Sequence, residues 1–326
     1  MRGARAALLA ATLLAVAPAS AEPAKPALAP TGHRDHAGSA GPKASPSNMA
    51  YGAFQRGLYV TARKLAEPLA NLGDPAAQTL LGEIYSRGFG VTRDPKTAAH
   101  WYEAAAASGS AEGEFRYALM LLDGKVVTQD LARARDLMKA AADAGNPLAE
   151  FNYGQMLIQA SPSGGFTEAR GYFEKAATAG VSDAQYAMSQ LLAYAPGGGH
   201  PDLPAARAWL LAAAINGHDT AQIEIGIWLI NGKGGPADAR QGFFWLRRAA
   251  NRGNPIALNR VAHLYKDGIG TPPDTVEAAK WAVLAKRADN SDPVLDDFFR
   301  GLDQGAQKSA LEAANRFRSV RSGSRS

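Results

Sequence analysis

The chain has 326 residues, of which 46% are hydrophobic, with a formal net charge of +5 and no cysteine. This composition is that of a folded protein, and it excludes disulfide bonds, thiolate metal sites and a cysteine nucleophile. The small positive excess gives no support for a nucleic-acid partner.

The N-terminus has the layout of a secretory signal peptide. Two arginines precede an apolar run over residues 6–17, and Ala19-Ser20-Ala21 forms a small-x-small cleavage site. The run is shorter than the ~20 apolar residues that a membrane span needs. We therefore predict cleavage between Ala21 and Glu22, a periplasmic or secreted protein, and no stable membrane span in the mature chain.

The rest of the chain divides by composition and periodicity. Residues 22–48 are rich in Pro, Ala and Gly, which predicts a disordered linker. We expect capping helices at 49–73 and 291–318 and a disordered basic tail at 319–326. Six repeats are predicted between the caps, at residues 74–109, 110–145, 146–180, 181–217, 218–253 and 254–290.

A period of about 36 residues defines these repeats. The glycines Gly109, Gly145, Gly180, Gly217 and Gly253 keep this spacing, and four of the five tryptophans share one phase, at Trp101, Trp209, Trp245 and Trp281. Self-similarity of this kind predicts stacked supersecondary units. Two further columns contain only small residues and predict closely packed helices. They are Ala77, Gly113, Ala149, Ala184, Ala221 and Ala257, and Ala98, Ala134, Ala169, Ala206, Gly242 and Ala278.

Each repeat contains two predicted helices. In the first repeat, apolar residues spaced i, i+4, i+7 and i+8 from Ala77 mark one helix face. That helix ends at Gly88, and Asp94-Pro95 opens the second helix with a capping side chain and a proline at its first position. Gly109 ends the second helix.

These residues resemble Sel1-like repeats, which are relatives of tetratricopeptide repeats. The first repeat carries the family pattern almost throughout, at Ala77, Leu81-Gly82, Tyr85, Gly88, Gly90-Val91, Asp94, Ala98, Trp101-Tyr102, Ala105-Ala106 and Gly109. The third and fourth repeats lack its Gly-x-Gly-Val turn. The resemblance implies an all-α, right-handed α-solenoid of helix pairs. It also implies an adaptor or regulator that binds proteins.

A search for catalytic motifs finds none. The chain has no His-Glu-x-x-His, Gly-x-Ser-x-Gly or Gly-x-Gly-x-x-Gly sequence. Residues 226–233 superficially resemble a phosphate-binding loop, but their spacing is wrong and Gly234 replaces the Ser or Thr. Metal-ligand spacing is absent. We therefore expect no enzymatic activity, no cofactor and no metal.

Function is then expected on a surface. A solenoid presents a concave face built mainly from the first helices, and residues spaced i, i+3, i+7 lie on their non-core side. For any single residue, an ordinary solvated helix face is at least as good an explanation. The predicted partner-binding residues are Arg116, Leu119, Asn152, Gln155, Gln190, Tyr194, Glu224, Ile227, Arg260 and His263.

Two functions remain open from the sequence. The first is an exported scaffold that binds a protein partner in the cell envelope, as an adaptor or regulator, for example of a signalling protein. The alternative is a cell-wall-associated enzyme or a peptidoglycan- or β-lactam-binding protein. The alternative is supported by the compartment and by the irregular loop at residues 197–201.

Overall fold

The protein is described by a computed structural model over residues 45–161, 165–196 and 199–319. These residues form sixteen helices and no strand, so the predicted all-α solenoid is confirmed. The expected signal peptide, most of the linker and the end of the tail lie outside the described residues. The linker was predicted to reach residue 48, but a helix begins at Pro46 because the Ser45 side chain accepts the amide of Asn48 as an N-cap.

The helices alternate with short connections along the chain. In chain order they are α1 (Pro46–Gln55), α2 (Tyr59–Asn71), α3 (Pro75–Arg87), α4 (Pro95–Ala107), α5 (Ala111–Asp123), α6 (Leu131–Asp143), α7 (Pro147–Ala160), α8 (Gly165–Thr178), α9 (Ser182–Tyr194), α10 (Leu203–Ile215), α11 (Asp219–Asn231), α12 (Ala239–Asn251), α13 (Pro255–Asp267), α14 (Thr275–Arg287), α15 (Pro293–Arg300) and α16 (Gln304–Arg316). Helices α3 to α14 are the first and second helices of the six repeats, and each such pair packs together.

Contacts divide the described chain into two compact units. The first unit ends at Ala179 and contains α1 to α8, which include the first three repeats. The second unit begins at Gly180 and contains α9 to α16, which include the last three repeats and the two C-terminal helices. Each unit is considered separately below.

Both columns of small residues are buried, as the sequence predicts. A third small column lies at the eighth position after the N-cap of each first helix. A Cβ at Gly82 would lie 2.5 Å from the ring of Tyr102, and one at Gly226 would lie 2.7 Å from Cγ of Leu246. The large side chain in this contact follows the tryptophan column by one residue. In the first four repeats, the residue that follows the tryptophan position is more deeply buried than the residue at the tryptophan position.

The turn between the two helices has glycine at two positions in the first, fifth and sixth repeats. Gly88 and Gly268 end their helices in the left-handed conformation, with φ of 74° and 69°. The second glycine of the turn, Gly270, lies so close to the carbonyl of Ala239 that a Cβ would clash with it. The fourth repeat lacks these glycines, and Ala195 ends α9 with a φ of 44°, which is unfavourable for a residue with a Cβ.

A buried glutamine stands at the fourth position of three repeats, as Gln78, Gln185 and Gln222, and two of them donate to the end of the preceding helix. Gln78 donates from Nε2 to the carbonyl of Ala70 at 3.1 Å, and Gln222 donates in the same way to Ala214 at 3.2 Å. The third repeat has Glu150 at this position, and it is buried. Burial raises the pKa of Glu150 above its ordinary value, and the positive charge of Lys175 opposes this shift.

Tight packing at Gly154 should be measurable by substitution. A Cβ there would lie 2.7 Å from Cε1 of Phe173, so we expect Gly154→Ala to lower the free energy of unfolding by about 1–3 kcal/mol. Gly171 is the control, because it lies within α8 with nothing within 4 Å of its added Cβ. Gly171→Ala should therefore stabilise the protein by about 0.5–1 kcal/mol. Urea unfolding followed by circular dichroism measures both, and equal effects of the two substitutions would contradict this packing.

Replacing Glu150 by glutamine should stabilise the protein at neutral pH. The buried carboxylate has a raised pKa, so its contribution to stability falls as pH rises through that value. Glu150→Gln removes the charge and offers a donor to the carbonyl of Ala142, like the donors that Gln78 and Gln222 offer to Ala70 and Ala214. We expect a gain of about 1 kcal/mol at pH 7 that shrinks as the pH falls through the raised pKa of Glu150 towards 4.5. Thermal unfolding of wild type and Glu150→Gln across this pH range measures the difference in stability. A variant that is less stable than wild type at pH 7 would contradict the destabilising effect of the buried carboxylate.

Candidate functional site on the first helices

The predicted partner-binding residues lie along one side of the first helices, and we call this surface the first-helix face. In the first unit it consists of Arg116, Leu119, Asn152 and Gln155. In the second unit it consists of Gln190, Tyr194, Glu224, Ile227, Arg260 and His263. Their burial differs widely: Asn152, Gln155 and Gln190 are buried, Tyr194 and Arg260 are exposed, and the others are half-buried.

In the first unit, Arg116 belongs to a polar network rather than standing free. Its Nε lies 2.6 Å from Oε1 of Glu112, one helical turn earlier, and Glu112 also accepts Nδ2 of Asn146 at 2.9 Å. Burial opposes the charge of Arg116, but Glu112, Tyr102 and Glu83 outweigh it, so the pKa of Arg116 is raised. The guanidinium is therefore held charged within the stack of repeats.

The amide side chains of the first unit are also engaged. Asn152 donates from Nδ2 to the carbonyl of Leu148 in its own helix, at 2.7 Å. Gln155 is buried, and Leu119 is half-buried. Leu119 is thus the apolar side chain of this group that a partner reaches most directly.

In the second unit, Glu224 joins two first helices. Its two oxygens accept the hydroxyl of Tyr186 and Nε2 of Gln190, each at 2.9 Å. Burial, together with the charge of Glu224, raises the pKa of the Tyr186 phenol. Gln190 and Glu224 both belong to the first-helix face, and their hydrogen bond joins α9 to α11.

His263 makes the equivalent contact at the end of the array. Its Nε2 lies 2.8 Å from Oδ2 of Asp292, and Nδ2 of Asn259 donates to the same oxygen at 3.1 Å. Hydrogen bonds from His263 and Asn259 lower the pKa of Asp292 to about 2. Because Asp292 is also the N-cap of α15, His263 connects the sixth repeat to the C-terminal helices.

The N-cap side chain of a first helix commonly makes a second bond to the preceding repeat. Ser110 caps α5 and also bonds to Oγ1 of Thr79 at 2.8 Å. Asn146 caps α7 through Oδ1 and reaches Glu112 through Nδ2. The sequence does not show this second bond, because it joins side chains 31 and 34 residues apart.

Three residues of the second unit remain available on the first-helix face. Tyr194 is 52% exposed, Ile227 is half-buried, and Arg260 is exposed with no ion pair to any carboxylate in the described part of the chain. Lys233, which the sequence placed only in a turn, joins them. Its Nζ lies 4.0 Å from the ring centre of Trp228 and 5.7 Å from that of Tyr194. This combination presents an aromatic ring, an aliphatic side chain and two cations.

Within the described ranges, no group of three or more His, Cys, Asp or Glu side chains is placed to hold a metal ion. The carboxylates nearest the first-helix face already accept hydrogen bonds from neighbouring repeats. None of the helices in these ranges is both long and apolar enough to cross a membrane.

Comparisons with known proteins agree with the repeat analysis. The Sel1 repeat matches the chain six times, at residues 75–110, 111–146, 147–181, 182–218, 220–254 and 255–290. No match was found among curated proteins.

Two solved structures share the fold. One is the crystal structure of a Sel1 repeat protein from Oxalobacter formigenes, with a TM-score of 0.62 and 23% identity over 74% of this chain and 96% of that one. The other is a protective antigen present in uropathogenic Escherichia coli strains, which displays an SLR fold. It has a TM-score of 0.53 and 27% identity over 79% of this chain, which spans 64% of the antigen.

The N-cap of the fifth repeat is a histidine, and its geometry requires the neutral ring. Nδ1 of His218 accepts the amide of Ala221 at 3.1 Å, the ring stacks on Tyr186 with centres 4.4 Å apart, and Nε2 lies 3.5 Å from Oδ1 of Asp183. Burial lowers the pKa of His218 below its ordinary value of 6.5, more than Asp183 and Asp219 raise it. A proton on Nδ1 would remove the capping bond.

We therefore expect acidification to weaken the junction of the fourth and fifth repeats. Since the folded-state pKa is the lower one, the stability from His218 is present above pH 6.5 and falls as pH drops below it. His218→Asn keeps a capping side chain, like that of Asn254, but does not titrate. The difference in free energy of unfolding between wild type and His218→Asn should change between pH 7.5 and pH 5. A constant difference across this range would show that His218 does not titrate with folding.

Proposed function

The chain belongs to the Sel1 repeat family, and from this premise we propose that it is a scaffold that binds a protein partner through the first-helix face. Sel1 repeats typically mediate protein interactions, and the repeats here fill most of the described chain. The proposal includes export of the protein, a partner in the cell envelope, and a role as adaptor or regulator, for example of a signalling protein. The signal-peptide layout of residues 1–21 supports the compartment.

The observation that carries the proposal is that the first-helix face of the second unit contains two kinds of residue, those that bind neighbouring helices and those that are exposed. Gln190, Glu224 and His263 bind neighbouring helices, so they hold the surface in one shape. Tyr194 and Arg260 are exposed beside them. Exposed tyrosine and arginine on a rigid support are the residue types that most often anchor protein interfaces.

This division also refines which residues should contact the partner. We propose Tyr194, Ile227 and Arg260 as direct contacts in the second unit and Leu119 in the first. Arg116, Asn152, Gln155, Gln190, Glu224 and His263 would then act by positioning the helices that carry those contacts. Substituting this second group would change binding indirectly, through the packing of the repeats.

We propose that the protein is not an enzyme. The ionisable side chains of the first-helix face are engaged in inter-repeat bonds or are single and exposed. General acid–base catalysis needs a side chain positioned to exchange a proton with the substrate, and the histidine of this face, His263, is already bonded to Asp292.

Capture experiments test the proposal. Tagged protein should retain a specific partner from an envelope extract of its own cells, and Tyr194→Ala/Arg260→Ala should reduce that capture at least tenfold, because each anchor contributes about 1–2 kcal/mol. Arg135→Ala/Arg170→Ala is the control, since both arginines are exposed on second helices of the first unit.

Two outcomes would contradict the proposal. Equal capture by wild type and Tyr194→Ala/Arg260→Ala would show that the partner binds elsewhere. Turnover of muropeptides or of a chromogenic β-lactam by the purified protein, abolished by a single substitution, would show an enzyme instead of a scaffold.

A further inference from the structure

The outer side of α12 differs from every other surface of the second unit. Arg240, Phe244, Arg247 and Arg248 are all exposed there, and Phe244 is 56% exposed. They lie on one side of the helix, because residues four apart stand one above the other. No acidic residue lies within α12. We call this surface the α12 outer face.

The other repeats show that the fold does not need these residues. Counted from the tryptophan column, the position of Phe244 is occupied elsewhere by polar or small residues, and that of Arg248 mostly by alanine. At the position of Phe244 stand His100, Asp136, Gly171, Ala208 and Lys280, and at that of Arg248 stand Ala104, Ala140, Lys175, Ala212 and Leu284. Five repeats pack without an exposed Phe, Tyr or Trp here. Phe244 and Arg248 therefore call for a reason other than repeat packing.

The arginines of this face also lack partners of opposite charge. Some cations of the second unit pair with carboxylates, as Arg252 does with Asp219 at 2.8 Å and Lys280 with Glu277 at 2.9 Å. Among the described residues, Arg240, Arg247 and Arg248 form no salt bridge. Arg247 and Arg248 only approach the edges of Phe243 and Trp245, each at 5.9 Å from the ring centre.

We propose that the α12 outer face binds an acidic peptide segment of another protein, with an apolar side chain of that segment on Phe244. The charge of the face requires an anionic partner, and the exposed ring requires an apolar group at its centre. This site lies on a second helix and is separate from the first-helix face, so it adds a second interaction surface to the proposed scaffold.

The spacing of the face specifies the peptide. Arg240 and Arg248 are eight residues apart, which corresponds to ~12 Å along a helix. An extended peptide covers that distance in about four residues. The segment should therefore carry two Asp or Glu residues about four positions apart, with a large apolar residue between them.

A peptide fits this face better than a lipid surface. The exposed Arg240, Arg247 and Arg248 share one helix with the exposed Phe244, whereas Lys280 and Lys286 of the following second helix already pair with Glu277 and Asp296. Three cations near an anionic bilayer contribute only about 1 kcal/mol each. Carboxylates bound by the forked arginine side chains add directional hydrogen bonds, which suit a short peptide.

The test selects peptides without assuming their sequence. A random 12-residue peptide library is displayed on phage and selected on the purified protein, and the winning peptides are measured by fluorescence anisotropy. We expect enrichment of peptides with two acidic residues around an apolar one. Their Kd should rise at least tenfold in Arg240→Glu/Arg248→Glu and at least threefold in Phe244→Ser, and it should rise with salt concentration.

Matched variants make the outcome decisive. Arg135→Glu/Arg170→Glu makes the same charge change on exposed second-helix positions and should leave the Kd unchanged. Tyr194→Ala/Arg260→Ala should also leave the Kd unchanged. A negative result for the α12 outer face can therefore be told apart from a negative result for the first-helix face. The proposal is overturned if the selected peptides are not acidic or bind Arg240→Glu/Arg248→Glu equally well. It is also overturned if phosphatidylglycerol vesicles or a single-stranded oligonucleotide require these arginines and no selected peptide does.

Discussion

The close approach of the two helices within each repeat is the constraint on which the rest of the structure depends. At Gly82, Gly154 and Gly226 the first helix comes so near the second that a single added methyl group would overlap a neighbouring side chain. Dispersion and apolar burial gain most from such contact, because interiors pack like organic crystals. This short distance explains the columns of small residues. It also explains why the array contains few large apolar residues.

Close packing also decides what the polar residues do. Side chains that stand on the same side of successive first helices are brought near enough to bond directly, as Glu224 does with Gln190. A polar group that is half-buried between repeats must find such a partner or lose stability. Most of the first-helix face is therefore occupied by the array itself. The few residues left over, with those on the α12 outer face, are the ones that give this chain its individual surface.

The sequence predicts the repeats well but does not show which residues of the first-helix face bond across repeats, and the reason is physical. Small residues and turn glycines are required by local geometry, so their period shows directly in the chain. The state of Gln190, Glu224 and His263 depends instead on residues 29–38 positions away, which a helical stripe does not contain. For a similar reason, the size of the two side chains does not show that Phe173, rather than its neighbour Tyr172, packs against Gly154. The contact of Lys233 with Tyr194 is also not visible in the sequence, because it joins the turn after α11 to the end of α9.

The double use of the N-cap side chains has a consequence for how the array unfolds. In linear repeat proteins, stability is usually separated into the intrinsic free energy of each repeat and a nearest-neighbour coupling. Ser110, Asn146 and Asp292 contribute to both, since each caps its own helix and bonds to the repeat before it. Fraying at the start of one helix would then also break the bond to the preceding repeat. Within each unit, melting should consequently be more cooperative than the sum of separate helix pairs would give.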